Sequence, residues 1–253
     1  MTEAPSENKY AKELAFWQGQ YERMLQTRDE RAAWLTTEAL FIQGLVARAT
    51  RQPVAPDARV LEIGAGPCSV IDFWKGGQKF AIDPLAARYK EEFSEFQDPA
   101  VQYAEGVGER LPYPDDHFDV VITRNALDHV SDAPRVLRET FRVLKPTGAF
   151  YVWIYLYSLR GSCWRRGVNA LTKRYETEPW AFTAGRIQRF LRKAGLRPYM
   201  PLREERPAPK KAMASASARL KHLGKWVLGL NYHKGFVCVS LPEKGIRRPW
   251  TGE

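Results

Sequence analysis

Residues 60–69 read VLEIGAGPCS, an apolar run that ends in two glycines one residue apart. Val60, Leu61 and Ile63 suit a strand buried on both faces, and Gly64 and Gly66 let the chain turn sharply at its end. A residue without a Cβ also admits a ligand close to the backbone. In an open parallel sheet such a turn lies at the carboxyl edge, where ligands bind. The pattern also fits a merely tight strand–helix connection. The G-x-G-x-x-G frame of a dinucleotide site ends here in Ser69 rather than glycine.

Downstream, short apolar runs alternate with helical stretches. Strands are expected at 59–63, 79–82, 101–104, 118–123 and 149–157, with helices at 69–75, 85–96 and 133–144 between them. Val136, Leu137, Thr140, Phe141 and Leu144 share one face of the last helix. A further helix over 183–194 has Thr183 as N-cap and Gly195 as its stop, and strands near 196–202 and 235–241 finish the sheet. Nearly all-apolar strands separated by helices imply a mostly parallel sheet covered on both faces.

Upstream, Leu14, Trp17, Tyr21 and Met24/Leu25 recur at helical spacing. A second helix carries Trp34, Leu35, Phe41, Ile42, Leu45 and Val46 as its apolar set. The expected organisation is one domain over 1–253: a helical lid or extension (1–57), a ligand-binding core (58–157) and a half with basic insertions (158–253). Residues 158–179 are a basic insertion with four Arg and Trp164, and a basic amphipathic helix is expected at 215–230.

Composition narrows the class. The chain has 253 residues, 44% hydrophobic and 12% aromatic, enough to bury a sizeable core. The polar start MTEAPSENKY does not read as a secretory leader, and the apolar run 149–156 is too short to span a bilayer as a helix. Cys68, Cys163 and Cys238 are odd in number and far apart, which suggests neither a disulfide framework nor a metal knuckle. No metal and a cytoplasmic location are expected. Residues 1–159 hold 18 Lys/Arg against 23 Asp/Glu, a net of −5; residues 160–253 hold 21 against 6, a net of +15. The basic third either faces an anionic partner or is a solvated surface.

Asp83 ends the second strand, 19 residues after Gly64. A carboxylate there can accept hydrogen bonds from both hydroxyls of a ribose; beside Pro84 it also suits a helix N-cap. The segment 108–153, GERLPYPDDHFDVVITRNALDHVSDAPRVLRETFRVLKPTGAFYVW, makes the pattern specific. With E-x-G-x-G at 62–66, E-x-L-P-(aromatic)-P-D at 109–115, F-D-V-V at 118–121, L-x-H-V at 127–130 and L-K-P-x-G at 144–148, the chain resembles class I S-adenosylmethionine-dependent methyltransferases. Within them it is similar to the branch of ubiquinone/menaquinone-type and natural-product enzymes.

The resemblance implies a Rossmann-like α/β fold with a seven-stranded, mostly parallel sheet, helices on both faces and the last strand antiparallel. It implies S-adenosylmethionine as cofactor and S-adenosylhomocysteine as product. Glu62 would then sit near the methionine amino end, with Gly64, Ala65 and Gly66 lining the methionine portion. Asp83 and Pro84 would meet the ribose, Gly108, Glu109 and Arg110 would run beside adenine, and Asn125 would face the methionine moiety. The usual third glycine is Cys68 here, and a common adenine-contacting Asp is replaced by Val107.

A hydroxyl acceptor needs a base within hydrogen-bond reach. His129 is the leading candidate, with Asp128 as an additional or alternative carboxylate; a His that merely orders the loop fits as well. The first helix, with Tyr10, Trp17 and Tyr21, reads either as a lid or as a helix packed on the sheet. Trp153, Tyr155 and Tyr157 line either an acceptor pocket or one face of a strand. The expected acceptor is a small molecule methylated on oxygen: a metabolite, sugar or lipid-linked compound, anionic in one reading. Helix 215–230 offers a peripheral membrane contact. An RNA acceptor is the less favoured alternative, because no N-P-P-(Y/F) tetrapeptide follows the fourth strand. A non-catalytic binding protein is a further one.

Overall fold

A computed structural model describes residues 7–172, 178–204 and 234–243. Helices α1 (Glu7–Gln18), α2 (Tyr21–Gln26) and α3 (Arg28–Thr50) precede the sheet. Then come β1 (Arg59–Ile63), β2 (Gln78–Asp83), α4 (Ala86–Phe93), β3 (Val101–Glu105), β4 (Phe118–Arg124), α5 (Ala133–Val143) and β5 (Leu144–Leu156). The chain continues through α6 (Leu159–Thr172), α7 (Ala184–Lys193), β6 (Leu196–Glu204) and β7 (Lys234–Pro242). The seven strands lie in the order β3-β2-β1-β4-β5-β7-β6, and only β7 runs antiparallel to its neighbours. This is the Rossmann-like sheet the sequence implied.

The order reverses between β1 and β4, so a crevice opens beyond their carboxyl ends. Alternate residues of each strand feed opposite layers. Val60, Ala81, Val120, Ile122 and Tyr151 pack against α3 through Leu35, Ile42, Leu45 and Val46. Leu61, Ile82, Val121, Phe150 and Val152 pack against α5 and α7 through Val136, Leu137, Ile187 and Leu191. Helices α1 and α2 rest on a third cluster, where Met24, Leu85, Tyr89, Phe93 and Phe96 are buried.

Several expectations are revised. The helix expected at 69–75 is only a 3-10 turn, Val70–Phe73. Its first amides are taken by carboxylates instead: Ser69 N donates to Asp72 (2.9 Å) and Ile71 N to Glu62 (3.0 Å). Gly76 and Gly77, both at positive φ, then end the segment. β5 begins at Leu144 rather than 149, because Leu144 already pairs with Phe118 before the register shifts and pairing resumes at Val120 with Ala149. The first helix divides at Gly19–Gln20 into α1 and α2. On α3, Trp34 and Phe41 do not join the core; both are exposed, while Glu38 is buried. Thr183 caps α7 as expected, its side chain accepting from Arg186 N, and Gly195 stops it at φ +82°. The helix expected at 215–230 and the tail beyond 243 lie outside the described residues.

Candidate functional site

A cavity of about 990 Å³ fills the crevice, floored by the ends of β1, β2, β4 and β5 and roofed by α1 and α3. That is at the upper end of the roughly 300–1,000 Å³ typical of small-molecule sites, so a nucleoside-sized ligand leaves room for a second molecule.

The floor is built around the turn after β1. Gly64 (φ +72°) and Gly66 (φ +63°) occupy the left-handed region. Gly64 N bonds to Ile82 O at 2.8 Å, and a Cβ on Gly64 would stand 2.4 Å from the Ala126 Cβ. At Gly66 the nearest atom to such a Cβ is on Trp17 of the roof, 3.9 Å away. The first glycine lets β1 approach the loop after β4; the second opens onto the cavity.

Asp83 lies on the wall beside this turn. One carboxylate oxygen accepts from Gly66 N (3.0 Å) and the other from Leu85 N (2.9 Å). A carboxylate offers about four lone-pair sites, so two are left for a ligand. Burial pushes its pKa up to about 6, against the lowering effect of the two amides. As a cap it serves the turn leading into α4, whose N-cap position is Leu85. Pro84, Ala65, Gly108, Glu109 and Asn125 also line the cavity. Gly108 cannot carry a side chain here, since its Cβ would lie 2.8 Å from Ile63 Cγ2. Glu109 accepts from Ser131 N (2.8 Å) and Asp132 N (3.1 Å), at the start of α5. Asn125 adopts φ +50°, its amide bonded to Trp153 O at 2.7 Å.

Three expected site residues stand elsewhere. Glu62 is fully buried and off the cavity wall, where it accepts from the Ser69 hydroxyl and Ile71 N. Burial raises its pKa to about 7. It braces the loop after the glycine turn. Arg110 is exposed and lines nothing, because β3's outgoing loop turns it to solvent. Asp128 is buried off the wall, its Oδ1 without a hydrogen-bond partner among the described residues, and burial raises its pKa. His129 itself does line the cavity. Its amide bonds to Ala126 O (3.0 Å) and its carbonyl accepts from the Lys9 ammonium, while its ring makes no hydrogen bond to a described residue.

The first helical stretch both lines the cavity and packs on the body of the protein. Tyr10 and Trp17 reach the cavity, whereas Tyr21 packs on Phe93 and Phe96 and bonds to Glu95. Trp153 and Tyr155 line the cavity in an edge-to-face pair 4.8 Å apart; Tyr157 is not on its wall. The sequence reading missed Arg31, Glu38 and Arg124. Arg31, Trp34, Leu35 and Glu38 form an i, i+3, i+4, i+7 stripe along α3, and Arg124 covers the Trp34 ring at 5.3 Å. The stripe was legible as a helix face, but nothing in sequence said which face met the sheet edge. Among the described residues no group of His, Cys, Asp and Glu could hold a metal, and no helix is long and apolar enough to cross a membrane.

Comparison with known proteins agrees with this architecture. Residues 61–152 match the family model described as "Methyltransferase domain". The uncharacterized methyltransferase YcgJ of Bacillus subtilis is 36% identical over 97 residues, covering 36% of this chain and 38% of that protein. Its crystal structure superposes with a TM-score of 0.54 at 20% identity, covering 80% of this chain and 98% of the other. The ubiquinone/menaquinone biosynthesis C-methyltransferase UbiE of Vibrio campbellii is 46% identical over 52 residues, covering 21% of this chain and 20% of that enzyme. A geranyl diphosphate methyltransferase in complex with SAM shares the fold at 14% identity, with a TM-score of 0.60 and coverage of 82% and 85%. The matched stretch thus spans about two fifths of one curated relative and one fifth of the other. The family-model match, residues 61–152, includes the glycine turn, Asp83 and His129. The chain resembles class I methyltransferases in sequence over this stretch and in fold throughout the sheet.

Proposed function

We propose that this protein transfers a methyl group from S-adenosylmethionine to a hydroxyl of a small molecule. The acceptor would be a metabolite, a sugar or a lipid-linked compound. The observation that carries this reading is the cradle at the switch point: a left-handed glycine turn open to a cavity, with a carboxylate beside it that keeps two acceptor sites free. Its placement within the segment that matches a methyltransferase domain supports the choice of nucleoside.

The residues fit the cofactor. Asp83 would accept from the ribose hydroxyls, and Ile82, Leu85 and Val107 offer an apolar slot for adenine. Gly64, Gly66 and Asn125 would leave backbone groups open to the methionine end. The cofactor brings a sulfonium-activated methyl group, so the protein's task is chiefly placement and exclusion of water. Helix α1, pinned by Lys9 to the His129 carbonyl, closes the cavity from above. His129 holds an uncommitted ring on the wall, suited to take the proton of an acceptor hydroxyl at a ring nitrogen. Trp153 and Tyr155 would bound the acceptor.

Calorimetry with S-adenosylhomocysteine tests the cofactor half of the reading. Binding that weakens strongly in Asp83→Ala, in a protein that is less stable but still folded, is the expected result; no heat from the wild-type protein at millimolar ligand would refute it.

A further inference from the structure

We propose that helix α6 docks the protein onto an anionic lipid surface. The helix reads LRGSCWRRGVNALT and contains no acidic residue. Its inward side is satisfied by polar contacts: Gly161, Ser162 and Arg165 are buried. Ser162 Oγ donates to Ala181 O at 2.9 Å, while the Arg165 guanidinium meets the Glu178 carbonyl at 2.8 Å and its carboxylate. The outward side is the apolar one. Leu159, Trp164 and Leu171 are 72%, 56% and 88% exposed, and Cys163 is exposed between them. Positions 159, 163 and 170 share one line of the helix, 164 and 171 the next, so these side chains form one patch. Arg160 and Arg166 are exposed around it.

An exposed apolar helix face needs a partner, and charge selects it. A helix with cations and no anions is matched by a negative surface. The chain's own segment 205–233 holds six Lys/Arg against one Asp/Glu, so it does not supply the matching negative charge. Two leucines at such exposure have no use against nucleic acid, which asks for cations and stacking rings. They suit the headgroup–acyl boundary, where Leu and Trp insert while Arg stays with anionic headgroups. Helix α6 adjoins the candidate site: Arg165 on its inner side clamps it to Glu178, which lines the cavity. On the methyl-transfer reading, and resting on it, an acceptor dissolved in the bilayer would meet the cavity from this side.

The test is co-sedimentation of the full-length protein, without cofactor, with vesicles of phosphatidylcholine alone or with phosphatidylglycerol added. Binding is expected only with the anionic lipid and is expected to fall at high salt. Leu159→Ser/Trp164→Ser/Leu171→Ser should lower the partition coefficient more than about ten-fold, since each buried methylene contributes to insertion. Arg160→Gln/Arg166→Gln should lower it by about ten-fold or more on anionic vesicles. A polarity-sensitive dye on Cys163 should shift to the blue on the same vesicles. Thermal melts of both variants, unchanged because the altered side chains are exposed, separate loss of docking from loss of fold. Wild-type levels of binding by the serine variant overturn the proposal. So does equal binding to both vesicle types, or an RNA-binding activity that depends on the two arginines without any vesicle binding. Because no cofactor enters the assay, its outcome is independent of whether S-adenosylhomocysteine binds.

Discussion

Gly64 and Gly66 sit two residues apart at similar φ, +72° and +63°, yet alanine should damage them in different ways. A Cβ at Gly64 meets the Ala126 Cβ at 2.4 Å, while the residue keeps φ +72°. The left-handed conformation costs a non-glycine residue roughly 1–2 kcal/mol. Relieving the overlap by shifting two packed loops adds about 1–3 kcal/mol. Gly64→Ala should therefore lose about 2–5 kcal/mol of stability, a large share of the roughly 5–15 kcal/mol a domain has. At Gly66 the nearest neighbour is 3.9 Å away, so only the conformational cost of about 1–2 kcal/mol applies. That Cβ, however, projects into the cavity. Urea denaturation of the two variants, followed by tryptophan fluorescence and far-ultraviolet dichroism, gives the two stabilities. Calorimetry with S-adenosylhomocysteine gives the affinities. The expected order is Gly64→Ala less stable than Gly66→Ala, with Gly66→Ala folded but binding at least about ten-fold more weakly. Equal stabilities, or a Gly66→Ala protein that binds normally, would refute the assignment of one glycine to packing and the other to the ligand.

The raised pKa of Asp83, about 6, makes ligand binding pH-dependent. Only the ionised carboxylate accepts from both ribose hydroxyls, so the dissociation constant should be flat above pH 7 and rise about ten-fold per pH unit below 6; Asp83→Asn should abolish that slope. Stability runs the opposite way. A carboxyl whose folded pKa is above its unfolded value binds its proton more readily when folded, so its contribution declines as pH rises from about 4 to 6 and is level above that. His129→Asn should cut turnover by roughly 10²–10⁴ with S-adenosylhomocysteine affinity within two-fold, and unimpaired turnover would remove the ring as base. Lys9→Met should loosen α1 from the loop carrying His129, read as faster protease cleavage near residue 20 in the free protein and slower cleavage once the ligand is bound; identical digestion in all cases would contradict the lid. Arg142 holds the segment after β3 through Leu111 O, Tyr113 O, Asp115 and Glu139 at 2.7–2.9 Å. Because its side chain is 31% exposed, water replaces part of what is lost, and Arg142→Ala should cost about 1–3 kcal/mol in urea denaturation.

What the sequence by itself determined is local or periodic. Alternation of apolar runs and helical stretches specified the strands and the mostly parallel sheet, because a strand buried on both faces has no other way to be written. The glycine pair and the acidic end of β2 were legible because positive φ and a carboxylate at a strand's carboxyl end are demands of the chain itself. Only the tertiary structure decided which side chains face the cavity. Glu62 and Asp128 each adjoin a wall residue, yet strand alternation and loop closure turn them into the interior, where Glu62 holds the loop after the glycine turn. Arg31 and Glu38 reach the cavity for the converse reason: α3 is rotated so that their stripe meets the sheet edge, where Arg124 ends β4. A helix's own sequence gives its faces, but its rotation against a sheet is set by packing with residues far along the chain, and those contacts are written nowhere in the local pattern.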